Sequence, residues 1–168
     1  MKIHYKLTIL FAVFAFSGFA ANVWKLTSPD DKLELKLENV RDEQTKKSKL
    51  YYSVQLRNET EYVQVVELSR LGLTRNDQQF EENLQYLTSN TEYKSDHYIL
   101  TAGRKLENSN EYNQMIISFK NPSSKIIQLE LRAYNNGIAF RYVFPEKSVK
   151  TVIVKNEATE FNLPDQGN

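Results

Sequence analysis

Residues 131–142 read LRAYNNGIAFRY, and this stretch decides the predicted fold of the 168-residue chain. Asn136-Gly137 is the strongest short signal for a β-hairpin, because a type I′ turn requires two residues at positive φ. Apolar and polar residues alternate on both sides of it, as they do in strands that bury one face. We therefore predict an antiparallel hairpin formed by residues 126–134 and 138–144.

A turn centred on Asn136-Gly137 pairs residue 133 with 140, 131 with 142 and 129 with 144. One face of the hairpin then carries Ile127, Leu129, Leu131, Ala133, Phe140, Tyr142 and Phe144. The opposite face carries Gln128, Glu130, Arg132, Ala139, Arg141 and Val143. A sheet with one apolar and one polar face is typical of a β-sandwich.

The same register places two arginines, Arg132 and Arg141, directly opposite each other on the polar face. Like charges in that position repel, so they need a carboxylate between them, and Glu130 is the nearest one. One interpretation is a purely structural triad. The other is that the arginine pair contacts an acidic residue of another domain or a ligand anion.

The rest of the chain also favours strands. Leu33, Leu35 and Leu37 alternate with charged residues, and residues 33–38 and 50–57 are predicted to pair as a hairpin with a long loop. Further strands are predicted at 62–68, 71–75, 93–101, 111–119 and 149–155. Residues 76–92 have no pattern that assigns them, and no helix is predicted. The expected fold class is all-β.

The first twenty residues have the layout of a secretory signal peptide. Lys2 and Lys6 supply the charged start, residues 7–16 form a short apolar run, and Gly18 and Ala20 are small residues at a cleavage site. The run is shorter than the ~20 apolar residues that span a bilayer. We therefore predict a signal peptide at residues 1–20, a mature domain at 21–168, and export.

Composition excludes several classes of partner. Removing Lys2 and Lys6 leaves 22 − 2 = 20 basic and 21 acidic residues, a nearly neutral balance. A nearly neutral chain has neither the excess positive charge typical of nucleic-acid-binding proteins nor a reason to bind anionic membranes through basic residues. The absence of cysteine rules out disulfides and thiolate metal sites, and favours a bacterial periplasm over a eukaryotic extracellular location.

A search for reactive groups finds no complete site. His97 is the one histidine after residue 20, so an imidazole metal cluster is excluded and a catalytic role for His97 is disfavoured. The glycines are dispersed and form no phosphate-binding loop. No carboxylate pair identifies itself as the acid and base of a glycosidase. We therefore predict no catalytic, cofactor-binding or metal-ligating residue in this chain.

Several segments together resemble the N-terminal domain of glycoside hydrolase family 97, which contains bacterial α-glucosidases and α-galactosidases. The most specific match is residues 131–142 with Phe144-Pro145. Weaker matches are Ser28 to Leu33, Ser69 to Leu73, Tyr112-Asn113 and Glu157 to Pro164. The resemblance covers nearly the whole of residues 21–168. One departure is Gln114, where family members usually carry an acid whose packing or cross-domain contact is expected to be missing here.

The resemblance implies a β-supersandwich of the galactose-mutarotase-like kind, followed by a catalytic (β/α)₈ barrel and a small C-terminal β domain. It implies that the sandwich continues past Asn168, so the domain in this chain is incomplete. It also implies that the catalytic carboxylates and the ligands of an active-site calcium lie beyond Asn168. No cofactor is therefore expected within this chain.

The expected function is that of an N-terminal supporting domain of an exported α-glycoside hydrolase acting on α-linked glucosides or galactosides. Its expected partners are the barrel of the same polypeptide and a carbohydrate substrate, and the chain alone is expected to be inactive. The alternative is a free-standing carbohydrate-binding or structural β-sandwich module. An aldose epimerase is disfavoured, because that chemistry normally uses histidines together with a carboxylate.

Overall fold

The computed structural model describes residues 22–59, 61–99 and 107–165, and the predicted signal peptide lies outside these ranges. The described part of the chain contains strands and turns but no helix, which confirms the all-β prediction. Within it, nothing has the length and apolarity of a membrane-crossing helix. The ten strands are β1 (Asn22–Thr27), β2 (Leu33–Arg41), β3 (Ser48–Asn58), β4 (Glu61–Leu71), β5 (Leu73–Arg75), β6 (Gln85–Ile99), β7 (Glu107–Lys120), β8 (Ile126–Tyr134), β9 (Gly137–Val143) and β10 (Val154–Glu157).

Eight of these strands form two antiparallel sheets, ordered β1-β2-β3-β4 and β6-β7-β8-β9, and β5 pairs with β10 in a small ribbon. Each large sheet is a meander of consecutive strands. The inner faces of the two sheets share one apolar core, as in a β-sandwich. The fully buried side chains of this core include Leu35, Leu37, Leu71, Phe80, Ile117, Phe119, Ile127, Leu129 and Leu131.

In the first sheet, the apolar residues that alternate along the sequence are the buried ones. Leu35 and Leu37 of β2 are fully buried, and they lie opposite Val54 and Tyr52 of β3. The predicted pairing of residues 33–38 with 50–57 is therefore confirmed. The long connection between these strands is a loop around residues 42–47, which exposes its side chains.

The predicted hairpin forms, but its register was wrong by two residues. Tyr134 pairs with Gly137, so the turn residues are Asn135 and Asn136. Leu131 therefore lies opposite Phe140, where the prediction had residue 142. Because side chains alternate with a period of two, a shift of two residues keeps every side chain on its face.

The turn is also not of type I′. The non-glycine residues with positive φ in the described ranges are Asp31, Lys46, Asn83 and Ser124, so neither turn asparagine is among them. Asn135 instead accepts a hydrogen bond from the backbone N–H of Asp30, at 3.1 Å, through its Oδ1 atom. This contact links the β8–β9 turn to the β1–β2 turn of the other sheet, and a sequence window cannot reveal such a tertiary contact.

The largest differences between predicted and observed strand boundaries concern β6 and β10. β6 begins at Gln85, inside the segment that sequence patterning left unassigned, because most side chains of its first half are exposed and show no alternation. The strand predicted at 149–155 is found only as the short β10, which pairs with β5. Residues 149–153 are exposed and belong to no strand.

A strap formed by residues 158–162 follows β10 along the outer edge of β4. Ala158 and Glu160 donate backbone hydrogen bonds to the carbonyl groups of Gly72 and Arg70, and Asn162 accepts one from Glu67. Side chains fasten the same segment, since the Tyr52 hydroxyl donates to the Glu160 carbonyl at 2.9 Å. The strap therefore joins the end of the described chain to its first sheet.

Candidate functional site

The candidate site is a cluster of one carboxylate and two guanidinium groups on the outer face of the second sheet. Nε and Nη2 of Arg132 lie 2.9 and 2.6 Å from Glu130 Oε1. Nε and Nη2 of Arg141 lie 2.8 and 2.6 Å from Glu130 Oε2. The carboxylate therefore accepts four charge-assisted hydrogen bonds, two on each oxygen.

Backbone register explains how the cluster assembles. Glu130 lies directly opposite Arg141, while Arg132 is two residues along β8 and lies opposite Ala139. The prediction that the two arginines face each other directly was wrong, because the turn is centred two residues earlier. The prediction that Glu130 would lie between them is confirmed.

The three side chains differ strongly in exposure. The Glu130 side chain is 8% exposed, whereas those of Arg132 and Arg141 are 30% and 66% exposed. Two positive charges and one negative charge leave a net charge of +1 in the cluster. The carboxylate is consequently sequestered, while the surplus positive charge lies at the surface.

Protonation equilibria are biased toward the charged forms. Burial pushes the pKa of Glu130 upward, but hydrogen bonds from Arg141 and Arg132 outweigh burial and hold that pKa below its ordinary value of 4.5. The pKa of Arg132 is raised, first by a hydrogen bond with the Tyr134 side chain and then by Glu130. Glu130 is therefore a poor proton donor at neutral pH, and both of its oxygens are already engaged.

Aromatic side chains extend the cluster toward β6, and sequence reasoning did not find them. The Arg132 guanidinium lies 4.8 Å from the centre of the Tyr112 ring, which packs on Tyr134 at a centroid distance of 4.8 Å. The Tyr112 hydroxyl donates a 2.8 Å hydrogen bond to Asp96. Burial and this bond raise the pKa of Tyr112. These residues are brought together by the register between β7 and β8. The alternation of apolar and polar residues in the sequence does not predict that register.

Gln114 lies at the centre of this face. It is opposite Arg132 on β8 and opposite Glu92 on β6, and its residue is 6% exposed. Its Nε2 lies 3.5 Å from Glu92 Oε1. An acid at this position would lie beside Arg132, so the glutamine leaves the arginine charge less compensated.

Two cavities open on this side of the molecule, on either side of Tyr134. The smaller, of about 140 Å³, is lined by Glu130, Arg132, Tyr134, Ala139, Phe140 and Arg141. The larger, of about 430 Å³, is lined by Ser109, Asn110, Glu111, Tyr134, Asn135 and Asn136. Chemically, the first offers cationic donors, and the second offers amide, hydroxyl and carboxylate groups.

His97 lies apart from the cluster. It is an exposed residue of β6 opposite Ser109 of β7. Among residues 22–59, 61–99 and 107–165, no group of three or more histidine or acidic side chains is arranged to hold a metal ion.

A second arginine, Arg75, is more deeply buried, and sequence reasoning did not single it out. Its side chain is 2% exposed and forms ion pairs with Asp77 at 2.7 Å and Glu146 at 2.6 Å. Its guanidinium carbon lies 5.7 and 4.6 Å from the ring centres of Phe80 and Phe144. These contacts hold the segment after β9, which contains Glu146, against the turn after β5, which contains Asp77. Arg75 therefore has a structural role.

The lowered carboxylate pKa values predict acid sensitivity. Glu130 and Glu81 both have pKa values below 4.5, Glu81 chiefly because it accepts a hydrogen bond from Thr74. A carboxyl group whose pKa is lower in the folded than in the unfolded state stabilises the fold at pH values above its unfolded-state pKa. This stabilisation disappears as the pH falls through the folded-state pKa. We expect the melting temperature to be level from pH 7 to about 5 and to fall below about 4.5. Thermal melts of residues 21–168 at graded pH test this, and a melting temperature that rises on acidification would contradict it.

Comparison with known protein families gives a match over most of the chain. A sequence model described as glycosyl-hydrolase 97 N-terminal matches residues 26–168. The match includes every strand of the second sheet and therefore the whole arginine–glutamate cluster.

Solved structures agree with this match. A glycoside hydrolase family 97 enzyme from Pseudoalteromonas sp. strain K8, bound to panose, is 19% identical with a TM-score of 0.68 over 84% of this chain. A β-arabinopyranosidase is 26% identical with a TM-score of 0.72 over 85% of this chain. The aligned region is 20% and 22% of those two proteins, so this chain spans about a fifth of their length.

Proposed function

Since the chain belongs to the N-terminal domain family of glycoside hydrolase family 97, we propose that it is the non-catalytic supporting domain of an exported α-glycoside hydrolase. The hydrolytic groups would lie in the remainder of the polypeptide, because the solved relatives are about five times longer than the matched region. The proposed substrates are α-linked glucosides or galactosides.

One observation carries the assignment of a non-catalytic role. Glu130, the carboxylate at the centre of the candidate site, has both oxygens bound by arginine nitrogens at 2.6 to 2.9 Å. A general acid needs a raised pKa and a proton to donate, and the pKa of Glu130 is lowered. The cluster is therefore suited to holding structure together or to contacting another charge, and unsuited to protonating a leaving group.

The galactosides in the proposed substrate class rest on the family resemblance, and two solved relatives support the glucosides. One of them is a family 97 enzyme in complex with panose, and a further structure of a family 97 enzyme from the same organism contains acarbose. Because another solved relative is a β-arabinopyranosidase, an arabinopyranoside should be tested as a substrate as well. The calcium that the family resemblance implies would be held by residues beyond Asn168.

We expect residues 21–168 alone to show no turnover of aryl α-glucoside, α-galactoside or β-arabinopyranoside, because no carboxylate pair in the sequence is recognisable as the acid and base of a glycosidase. Release of the aryl group, followed by absorbance, measures this. The positive control is the longer polypeptide that contains the following domain. Turnover by residues 21–168 that is lost on replacing a residue within this range would refute the proposal.

Export is tested separately. We expect cleavage after Ala20, because Gly18 and Ala20 follow a short apolar run. Mass spectrometry of protein released from the periplasm of an expressing bacterium would give a mature chain beginning at Ala21. A chain that retains Met1 in the cytoplasm would contradict export and leave the family assignment untouched.

A second candidate function is sugar binding by the domain itself. It is favoured by the larger cavity beside Tyr134, whose amide, hydroxyl and carboxylate groups suit sugar hydroxyls. Calorimetric titration of residues 21–168 with maltotriose distinguishes it from a purely supporting role. Heat of binding that disappears in a Tyr134→Ala variant would favour this candidate.

A further inference from the structure

We propose that the cluster formed by Arg132, Glu130 and Arg141 is a docking site for a carboxylate side chain of the domain that follows in the same polypeptide. This inference rests on the proposed function, because it requires that following domain. It assigns an interdomain role to a cluster that otherwise has only internal contacts.

The first argument is the supply of unused donors. A guanidinium group has five N–H donors, and Glu130 engages only Nε and Nη2 of each arginine. Arg132 also contacts the Tyr134 side chain. Arg141 is 66% exposed, and its Nη1 has no acceptor among the described residues, so this nitrogen is available to an outside group.

The second argument is the surplus charge. The cluster of Arg132, Glu130 and Arg141 carries +1. On the β6 side of the same face, Glu92 pairs with Lys94 at 3.0 Å and Asp96 accepts a hydrogen bond from Tyr112, so neither carboxylate forms an ion pair with the two arginines. Gln114, between Glu92 and Arg132, is neutral. An incoming carboxylate would therefore complete a two-arginine, two-carboxylate arrangement with no net charge.

The third argument is space and surroundings. The cavity over the cluster measures about 140 Å³, while one water molecule occupies roughly 30 Å³ of liquid, so the cavity can hold the tip of an acidic side chain. Ala139, which lines the cavity, is exposed, and Ile116 and Val143 are half-buried on the same face of the sheet. Covering these residues would remove water from the ion pair and strengthen it.

The occupant follows from the size of the relatives. The region matched here is about a fifth of each solved chain, so the rest of such a polypeptide is available to pack on this domain. Interfaces between domains are more polar than cores, and the planar guanidinium fork suits carboxylates. β9 is also an edge strand, so a neighbour can approach from its side without displacing another strand.

Photo-cross-linking in the longer polypeptide tests the proposal. Benzoylphenylalanine replaces the exposed Ala139 beside the cluster, and in a matched control it replaces Val65, which is 40% exposed on the other sheet. We expect position 139 to cross-link to a peptide beyond residue 168 that contains Asp or Glu. Position 65 should not give that product.

Charge variants then tie the contact to the arginine. Arg141→Gln should abolish the cross-link from position 139, and Arg141→Lys should restore part of it, because lysine keeps the charge but loses the fork. Arg57→Gln, at an exposed site on β3, should leave the cross-link unchanged. Circular dichroism melts of each variant show whether the fold is retained.

The outcomes separate this inference from the proposed function. Glycoside hydrolysis is measured on the same preparation. An active polypeptide that gives no cross-link beyond residue 168, or one that Arg141→Gln leaves unchanged, overturns the docking site alone. Cross-links to a second copy of this domain also overturn it. A longer polypeptide without glycosidase activity overturns the proposed function.

Discussion

Phe119→Ala should destabilise the domain by about 3–5 kcal/mol, the range for removing a fully buried aromatic side chain. Phe119 is 0% exposed and lies at the centre of the shared core. It meets the Trp24 ring of the first sheet edge-on at 5.5 Å, so its loss also removes a contact between the two sheets, and it lies 6.3 Å from the Tyr86 ring of its own sheet. Urea unfolding of residues 21–168, followed by tryptophan fluorescence, measures the change.

Two other phenylalanines provide matched controls for the same chemical change. Phe161, in the strap, is 67% exposed, so Phe161→Ala should cost less than about 1 kcal/mol. Phe140 is half-buried against Tyr52 and Phe161, so Phe140→Ala should fall between the two. Equal costs at all three positions would show that the core is not where the structure has it.

Glu130→Gln should cost about 2–3 kcal/mol, somewhat below the ~3–5 kcal/mol of breaking a fully buried ion pair, because both arginines are partly exposed. The amide keeps the shape of the side chain but removes the charge that separates Arg132 from Arg141. The two guanidinium groups would then repel each other. Chemical unfolding at pH 7 gives the free energy, and the variant should also lose less stability than the parent between pH 5 and 3.

The control for this prediction is an exposed glutamate with a lysine partner. Glu43 is 58% exposed and pairs with Lys46 at 3.0 Å, so Glu43→Gln should change stability by no more than about 0.5 kcal/mol. A Glu130→Gln variant as stable as Glu43→Gln would mean that the cluster contributes nothing to the fold. Its role would then have to lie entirely outside this domain.

Local patterning predicted β2, β3 and β8 because these strands bury one face. Alternation assigned Leu129, Leu131 and Phe140 to the core face, and the structure places all three against the core. It also placed Glu130 and the arginines together on the opposite face. The error of two residues in the hairpin left these assignments intact, because it preserved the alternation.

The remaining features depend on contacts between distant parts of the chain. Tyr112 reaches Arg132 only through the pairing of β7 with β8, and Asn135 is fixed by the backbone of Asp30 in the other sheet. The first half of β6 has no alternation because most of its side chains are exposed. A single sequence carries no signal for such pairings, so these parts of the candidate site could not be predicted.

The order of the strands has a consequence for how the domain folds. Each large sheet pairs only strands that are neighbours in the chain, so β1 to β4 can pair with one another without any strand of the second sheet. Such near-neighbour pairing is entropically cheap and fast. The strap is different, because the bond between Tyr52 and Glu160 spans 108 residues. We therefore expect the strap to close last, and until it closes the edge of β4 is open to pairing with a strand of another chain.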